Sequence, residues 1–282
     1  GVDQLIPYEA PARTPWWLEA ARLAHRLRAG RFDIAMVSNP RKAFHLATFL
    51  AGIPVRAGYH RKWGWLLTHR IPDRKGTGQR NEVESNLELL RPLGIALPER
   101  PRYQLPLDEE ADAALGRLMQ GRGVTLTERL VAVHPWSSRP NKQWAMERFR
   151  RLVQRLAQRP DVKVVVIGGE EERDRTPEII PGAERGLIVN LVGCLSLREL
   201  AALLRRVQVL VTNDSGPMHI AAAVGTPVVA LFGTGDPGSH PTRWGPWGLR
   251  HTVIHKPLAE IAVDEVLSAT LRYVAAPSGA PR

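Results

Sequence analysis

Two polar loops carry the residue types that would hold a phosphate or diphosphate. The first is Asn213-Asp214-Ser215-Gly216-Pro217-Met218-His219, between the apolar run Val207–Val211 and the small residues Ala221-Ala222-Ala223. Ser215 reads as an N-cap, and Pro217 suits the first turn of a helix. A helix N-terminus just past the carboxyl end of a parallel strand offers unbonded N–H groups, Gly216 among them, and a positive dipole end to an anion. Asp214 would repel a diphosphate, so its carboxylate either takes sugar hydroxyls or caps the turn. His219 either reaches the phosphates or is structural. The second loop is His134-Pro135-Trp136-Ser137-Ser138-Arg139-Pro140-Asn141-Lys142-Gln143-Trp144. Hydroxyls at Ser137 and Ser138 can donate to phosphate oxygens, and the Lys142 ammonium can neutralise them. The same pattern also occurs in plain polar loops. A third turn, Gly168-Gly169-Glu170-Glu171-Glu172-Arg173, places carboxylates at a helix start. They either cap N–H groups or accept hydrogen bonds from ribose hydroxyls.

These loops need strands and helices to hold them. Helical and apolar β-branched segments alternate along the chain, which predicts an α/β protein with parallel sheets. Helices are expected over 14–27, 41–51, 81–93, 108–121, 146–158, 170–180, 196–205, from Gly216, and over 263–275. Strands are expected over 32–38, 55–59, 130–134, 162–167, 187–191, 207–211, 226–232 and 253–255. The segment 97–107 is rich in proline and arginine and reads as a linker, giving domains 1–105 and 106–282. Two α/β domains so joined put a ligand in the cleft between them. Gly233-Thr234-Gly235-Asp236-Pro237 lacks the lysine of a phosphate loop and reads as a turn, and the tail from Pro277 reads as frayed.

Composition narrows the classes. The chain has 282 residues, 44% of them hydrophobic and 24% charged, in the range of ordinary globular proteins. No apolar run approaches the length of a membrane span. The single cysteine, Cys194, excludes an intramolecular disulfide and fits a reducing compartment, the cytoplasm. The net charge of +11 is uneven: residues 1–105 hold 17 Lys+Arg against 9 Asp+Glu. That excess either meets an anionic partner or serves solubility. Its core is Arg41, Lys42, Arg56, His60, Arg61, Lys62, His69 and Arg70, interleaved with Tyr59, Trp63 and Trp65. No recognition helix, RNP signature or metal finger accompanies them, so nucleic acid is not the expected partner. Trp63 and Trp65 either rest at a membrane interface or pack. No Ser/His/Asp order, paired Cys/His ligands or Walker lysine is present, and neither a metal nor a cofactor is expected.

The string from Asn213 to Gly233, N-D-S-G-P-M-H-I-A-A-A-V-G-T-P-V-V-A-L-F-G, resembles the donor-site segment of the heptosyltransferase family. These are inverting glycosyltransferases that add heptose from ADP-heptose to the lipopolysaccharide inner core. The resemblance implies a GT-B fold, with two Rossmann-like domains facing a central cleft and the N-terminal one incomplete. It implies phosphate contacts for Ser137, Ser138, Lys142 and the amides of Ser215 and Gly216, and sugar hydroxyls on Asp214. It also implies ribose on Glu170, an adenine neighbour at Leu195, and an anionic lipopolysaccharide acceptor, for which Arg41, Arg61 and Lys62 are candidates. Peripheral contact with the inner face of the inner membrane follows. Ser215 stands where some members have threonine. The family's catalytic aspartate is expected upstream of Gly1; Asp33 and Asp73 do not match it. These 282 residues are therefore expected to bind donor but turn over poorly. Two other readings stand beside this one: a GT-B nucleotide-sugar enzyme of different specificity, such as an epimerase, and a non-catalytic polyanion-binding protein.

Overall fold

The computed structural model describes residues 2–8, 14–99, 101, 104–125, 128–180, 188–235, 239–248 and 250–275. Asp236, Pro237 and the tail from Pro277, read above as turn and frayed end, lie outside them. The chain divides into two compact units, Gly1–Pro101 and Arg102–Arg282. The division falls a little ahead of residue 105, because Leu105 is tied to the second unit. Its N–H donates to the Ala223 carbonyl at 3.1 Å, and its own carbonyl accepts from Arg205.

The first unit contains α1 (Trp16–Ala29), β1 (Ile34–Val37), α2 (Lys42–Leu50), β2 (Val55–Tyr59), β3 (His69–Ile71) and α3 (Glu82–Leu87). Its three strands pair in parallel in the order β1-β2-β3. Ala20 and Ala24 of α1 are buried with Ala43 and Ala47 of α2, and side chains this small let the two helices approach closely. The helix expected over 81–93 is two pieces. After α3 the backbone tightens into a 3-10 helix, Glu88–Leu93, that contains Pro92. Proline has no N–H to continue an α-helix and crowds the preceding turn. Gly94, at φ 73°, ends it in the left-handed region that only glycine adopts without cost. The strand β3 was not anticipated: His69-Arg70-Ile71 is too short and too polar to show a period, and pairing with β2 defines it.

The second unit runs α4 (Glu109–Gln120), β4 (Leu130–His134), α5 (Met146–Ala157), β5 (Lys163–Val166), β6 (Ile188–Asn190), α6 (Leu197–Arg206), β7 (Val209–Asn213), α7 (Gly216–Ala223), β8 (Val228–Phe232), α8 (Pro241–Trp244), β9 (Thr252–His255) and α9 (Val263–Val274). Six parallel strands lie in the order β6-β5-β4-β7-β8-β9. Successive side chains on a strand point to opposite faces, and here both faces are covered. Val131, Val133, Val164, Val166, Val209 and Val211 pack with Phe149 and Leu152 of α5 and Val266 of α9. Leu130, Ala132, Val165 and Leu210 pack with Leu115 of α4, Leu203 of α6 and Ala221 of α7. Double burial is why these strands read as unbroken apolar runs.

Two expectations shift. The segment Glu170–Glu178 is a 3-10 helix, not an α-helix. It holds Pro177 and has no apolar stripe to anchor a longer helix against the sheet. The strand read at 207–211 is displaced toward the carboxyl end, to β7. Val207 instead closes α6, its N–H donating to the Leu203 carbonyl at 3.2 Å.

Candidate functional site

The strand order reverses between β4 and β7. Chain from β4 proceeds outward through β5 and β6, while chain from β7 proceeds the other way through β8 and β9. At such a switch point the two following loops diverge and leave a crevice beyond the carboxyl ends of the strands. His134 and Thr212 pair across it, so the two loops singled out in the sequence start side by side.

Asn213, the last residue of β7 and fully buried, fixes the spacing of that crevice. Its side-chain Nδ2 donates to the Pro135 carbonyl at 2.8 Å, and its Oδ1 accepts from the Trp144 N–H at 2.9 Å. One amide therefore clamps both ends of the loop that holds Ser137, Ser138 and Lys142. Trp144 is itself buried: its ring meets Phe149 edge-on at 4.9 Å, and its indole N–H donates to the Ile261 carbonyl at 3.1 Å. On the solvent side the loop closes on the β7 turn through an ion pair. Lys142 Nζ donates to Asp214 Oδ2 at 2.6 Å, and the Ser239 hydroxyl donates to the same carboxylate oxygen.

Ser215 holds the N-cap position of α7 but not the expected role. Its side chain makes no cap hydrogen bond. Its hydroxyl is turned back to the strands, 2.8 Å from Thr212 Oγ1 and 3.3 Å from His134 Nδ1. This happens because Thr212 and His134 are buried polar groups that need partners. The consequence is a helix start whose N-cap side chain accepts from none of its amides. Gly216, its first residue, faces open space: a Cβ built there meets nothing within 4 Å. An uncapped amino end facing solvent is suited to an anion. Burial lowers the pKa of His219, opposed by the neighbouring Asp214 carboxylate, and lowers that of His134 to about 4. Both imidazoles are neutral at pH 7, so they add no charge to that of Lys142 and the helix end.

The other candidates follow the same edge. Glu170, exposed, begins the turn after β5. Its carboxylate accepts from Arg173 Nη2 at 2.7 Å, and that guanidinium also donates to the Gly193 carbonyl at 2.6 Å. Leu195, after β6, is half-buried against the core. Ser137 is half-buried and Ser138 exposed. Along the sheet edge the order is therefore Leu195, Glu170, the Ser137–Lys142 loop, Asp214 to Gly216, and Ser239. Arg41, Arg61 and Lys62 belong to the first unit. Arg41 pairs with buried Glu19 at 3.1 Å and lies over the Phe44 ring at 5.1 Å. Arg61 pairs with Asp73 at 3.2 Å. Two residues here were missed by sequence reasoning. Asn213 reads as part of a turn until its depth is seen, and Ser239 lies far along the chain with no motif around it.

A doubly wound sheet with an uncapped helix end and a lysine loop at its switch point is the architecture of a Rossmann-like α/β domain. Residues 20–266 match Glycosyltransferase family 9 (heptosyltransferase), and the chain belongs to that family. A lipopolysaccharide heptosyltransferase 3 of Escherichia coli K12 is 32% identical over 235 residues, which is 80% of this chain and 64% of that protein. The chain thus spans less than two thirds of the length of this relative. The crystal structure of a family 9 glycosyl transferase from Veillonella parvula superposes with a TM-score of 0.84 at 24% identity, over 97% of this chain and 82% of that one. The E. coli heptosyltransferase WaaC with ADP gives a TM-score of 0.67 at 20% identity, over 91% and 77%. These likenesses are of fold: the α/β architecture is that of the GT-B heptosyltransferases.

Proposed function

We propose that the protein is an inverting transferase that takes heptose from ADP-heptose to the inner core of lipopolysaccharide, with the second unit as the donor site. What supports this most is the order of groups along the sheet edge. An apolar side chain (Leu195), a carboxylate (Glu170), hydroxyls with a cation (Ser137, Ser138, Lys142), helix amides (Ser215, Gly216) and a second carboxylate (Asp214) stand in the order of adenine, ribose, diphosphate and sugar. Neighbouring strands lie about 4.8 Å apart, so β6 to β7 spans roughly 14 Å, a nucleoside diphosphate's reach.

Each group has a task. The departing ADP gains charge as the glycosidic bond breaks, and the anomeric carbon passes through an oxocarbenium-like state. Lys142, the two serines and the α7 dipole stabilise that charge. His219, kept neutral, donates or accepts beside the phosphates without adding charge. The E. coli heptosyltransferase WaaC is a structure with ADP, which supports the same nucleotide here. The anionic acceptor meets Arg41, Arg61 and Lys62, and the enzyme works at the membrane surface from the cytoplasm.

Calorimetric titration of the chain with ADP-heptose and with UDP-N-acetylglucosamine tests this. ADP-heptose should bind, UDP-N-acetylglucosamine should not, and Lys142→Ala should weaken the former at least tenfold. Preference for the UDP-sugar would move the protein to the epimerase-like reading. Equal binding by wild type and Lys142→Ala would remove the donor site from this crevice.

A further inference from the structure

Ser239 enters the crevice of the second unit from a third direction. It lies between β8 and α8, 25 residues beyond Asp214, and is 3% exposed. The residue after it is anchored. His240 Nδ1 accepts from the Thr242 N–H at 3.2 Å, and the His240 carbonyl accepts from the N–H groups of Arg243 and Trp244, both at 3.0 Å. The His240 ring meets that of His255, the last residue of β9, edge-on at 4.9 Å. Since β9 pairs in parallel with β8, the backbone at Ser239 is tied to the sheet and not left on a free loop.

From there the Ser239 hydroxyl donates to Asp214 Oδ2, the oxygen that also accepts from the Lys142 ammonium at 2.6 Å. A carboxylate offers about four lone-pair sites, shared equally by its two oxygens. Both donors fall on Oδ2, which fills that oxygen. Oδ1 accepts from none of the described residues and is not among the buried atoms left without a partner. It is therefore the oxygen open to a ligand.

We propose that Ser239 is a positioning residue for the donor sugar: it holds Asp214 so that Oδ1 accepts from the sugar hydroxyls. The need arises when a diphosphate enters. Lys142 is then shared with the phosphates, and a carboxylate held by the ammonium alone would be free to turn. The second donor, on an anchored backbone, keeps Oδ2 engaged and Oδ1 presented. A hydroxyl does this while bringing no cation of its own to compete for the phosphates. This deepens the donor site proposed above and rests on it.

The full chain is titrated calorimetrically with ADP and with ADP-heptose, as wild type, Ser239→Ala, Asp214→Asn and the double variant. The readout is the ratio of the two affinities, which a general weakening of nucleotide binding does not move. Wild type should prefer ADP-heptose, and Ser239→Ala should cut that preference roughly fivefold, the effect of one hydrogen bond to a charged group. In the Asp214→Asn background Ser239→Ala should change the ratio no further, because a residue that acts through Asp214 has no carboxylate left to hold. Ser239→Cys, whose thiol donates weakly, should also lower the ratio. Thermal melts check that each variant folds. A Ser239→Ala chain that keeps the wild-type ratio overturns the proposal. So does a further loss in the double variant, which would give Ser239 a sugar contact of its own. Wild type that binds neither ligand loses the donor site, and this role with it. Wild type that binds both equally loses the sugar contact of Asp214 and the role of Ser239, but not the nucleotide site. A preference for ADP-heptose that survives in Ser239→Ala and Ser239→Cys removes Ser239 alone.

Discussion

Asp214 is the residue on which the proposed donor site turns. A carboxylate beside a diphosphate is repulsive, yet here it holds Lys142 at 2.6 Å in a half-buried pair. An incoming diphosphate must share that ammonium. Asp214→Asn removes the competing charge but keeps the shape. ADP alone should then bind as tightly as to wild type or more tightly, because Lys142 is free for the phosphates. ADP-heptose should lose its margin over ADP, because an amide accepts sugar hydroxyls less well than a carboxylate. Paired titrations of the two ligands read both effects. Weaker ADP binding in the variant would mean that Asp214 positions Lys142 for the phosphate instead of competing for it.

At the scale of elements, the amino end of α7 separates stability from binding. Its amides are uncapped because Ser215 serves the buried Thr212 and His134. Gly216→Asp places a carboxylate where the helix dipole favours it, in open space. The melting temperature should hold or rise slightly, while ADP affinity falls at least tenfold, as seen by comparing thermal melts with and without ADP. Unchanged ADP protection in this variant would place the phosphates elsewhere. The clamp by Asn213 works at the same scale: it converts the end of one strand into the spacing of its neighbour's loop.

For the whole molecule, buried imidazoles link stability to pH. His134 is neutral in the fold down to about pH 4, because burial opposes its charge. In the unfolded chain it protonates near pH 6.5. The unfolded state therefore binds more protons between these values, and stability falls as pH drops from 6.5 toward 4. Its contribution is full above 6.5 and amounts to about 3 kcal/mol lost at the acid end. His45, His219 and His251 are also lowered by burial and act in the same direction. Urea unfolding across this range should show the decline, and His134→Gln should flatten it by about one proton. An unaltered slope in the variant would remove His134 as its source.

Most of the second unit was legible from the chain. Strands covered on both faces leave continuous valine-rich runs, and Ser196 with Glu199 marks the start of α6 by a capping box. Ser137, Ser138, Lys142 and Asp214 were legible as polar loop residues because they interrupt apolar strand runs. Local pattern failed where the deciding forces are not local. The β3 strand exists only by pairing with β2, and Glu170–Glu178 lacked the stripe that would have made it an α-helix. The sequence by itself determined the fold class, the two polar loops at the strand ends and the family, since burial period and motif are written residue by residue. Only the tertiary structure decided that Lys142 and Ser239 both meet Asp214, that Ser215 leaves its helix uncapped, and that Asn213 is a clamp. Those are contacts between strand ends distant in sequence, set by the order in which strands pair.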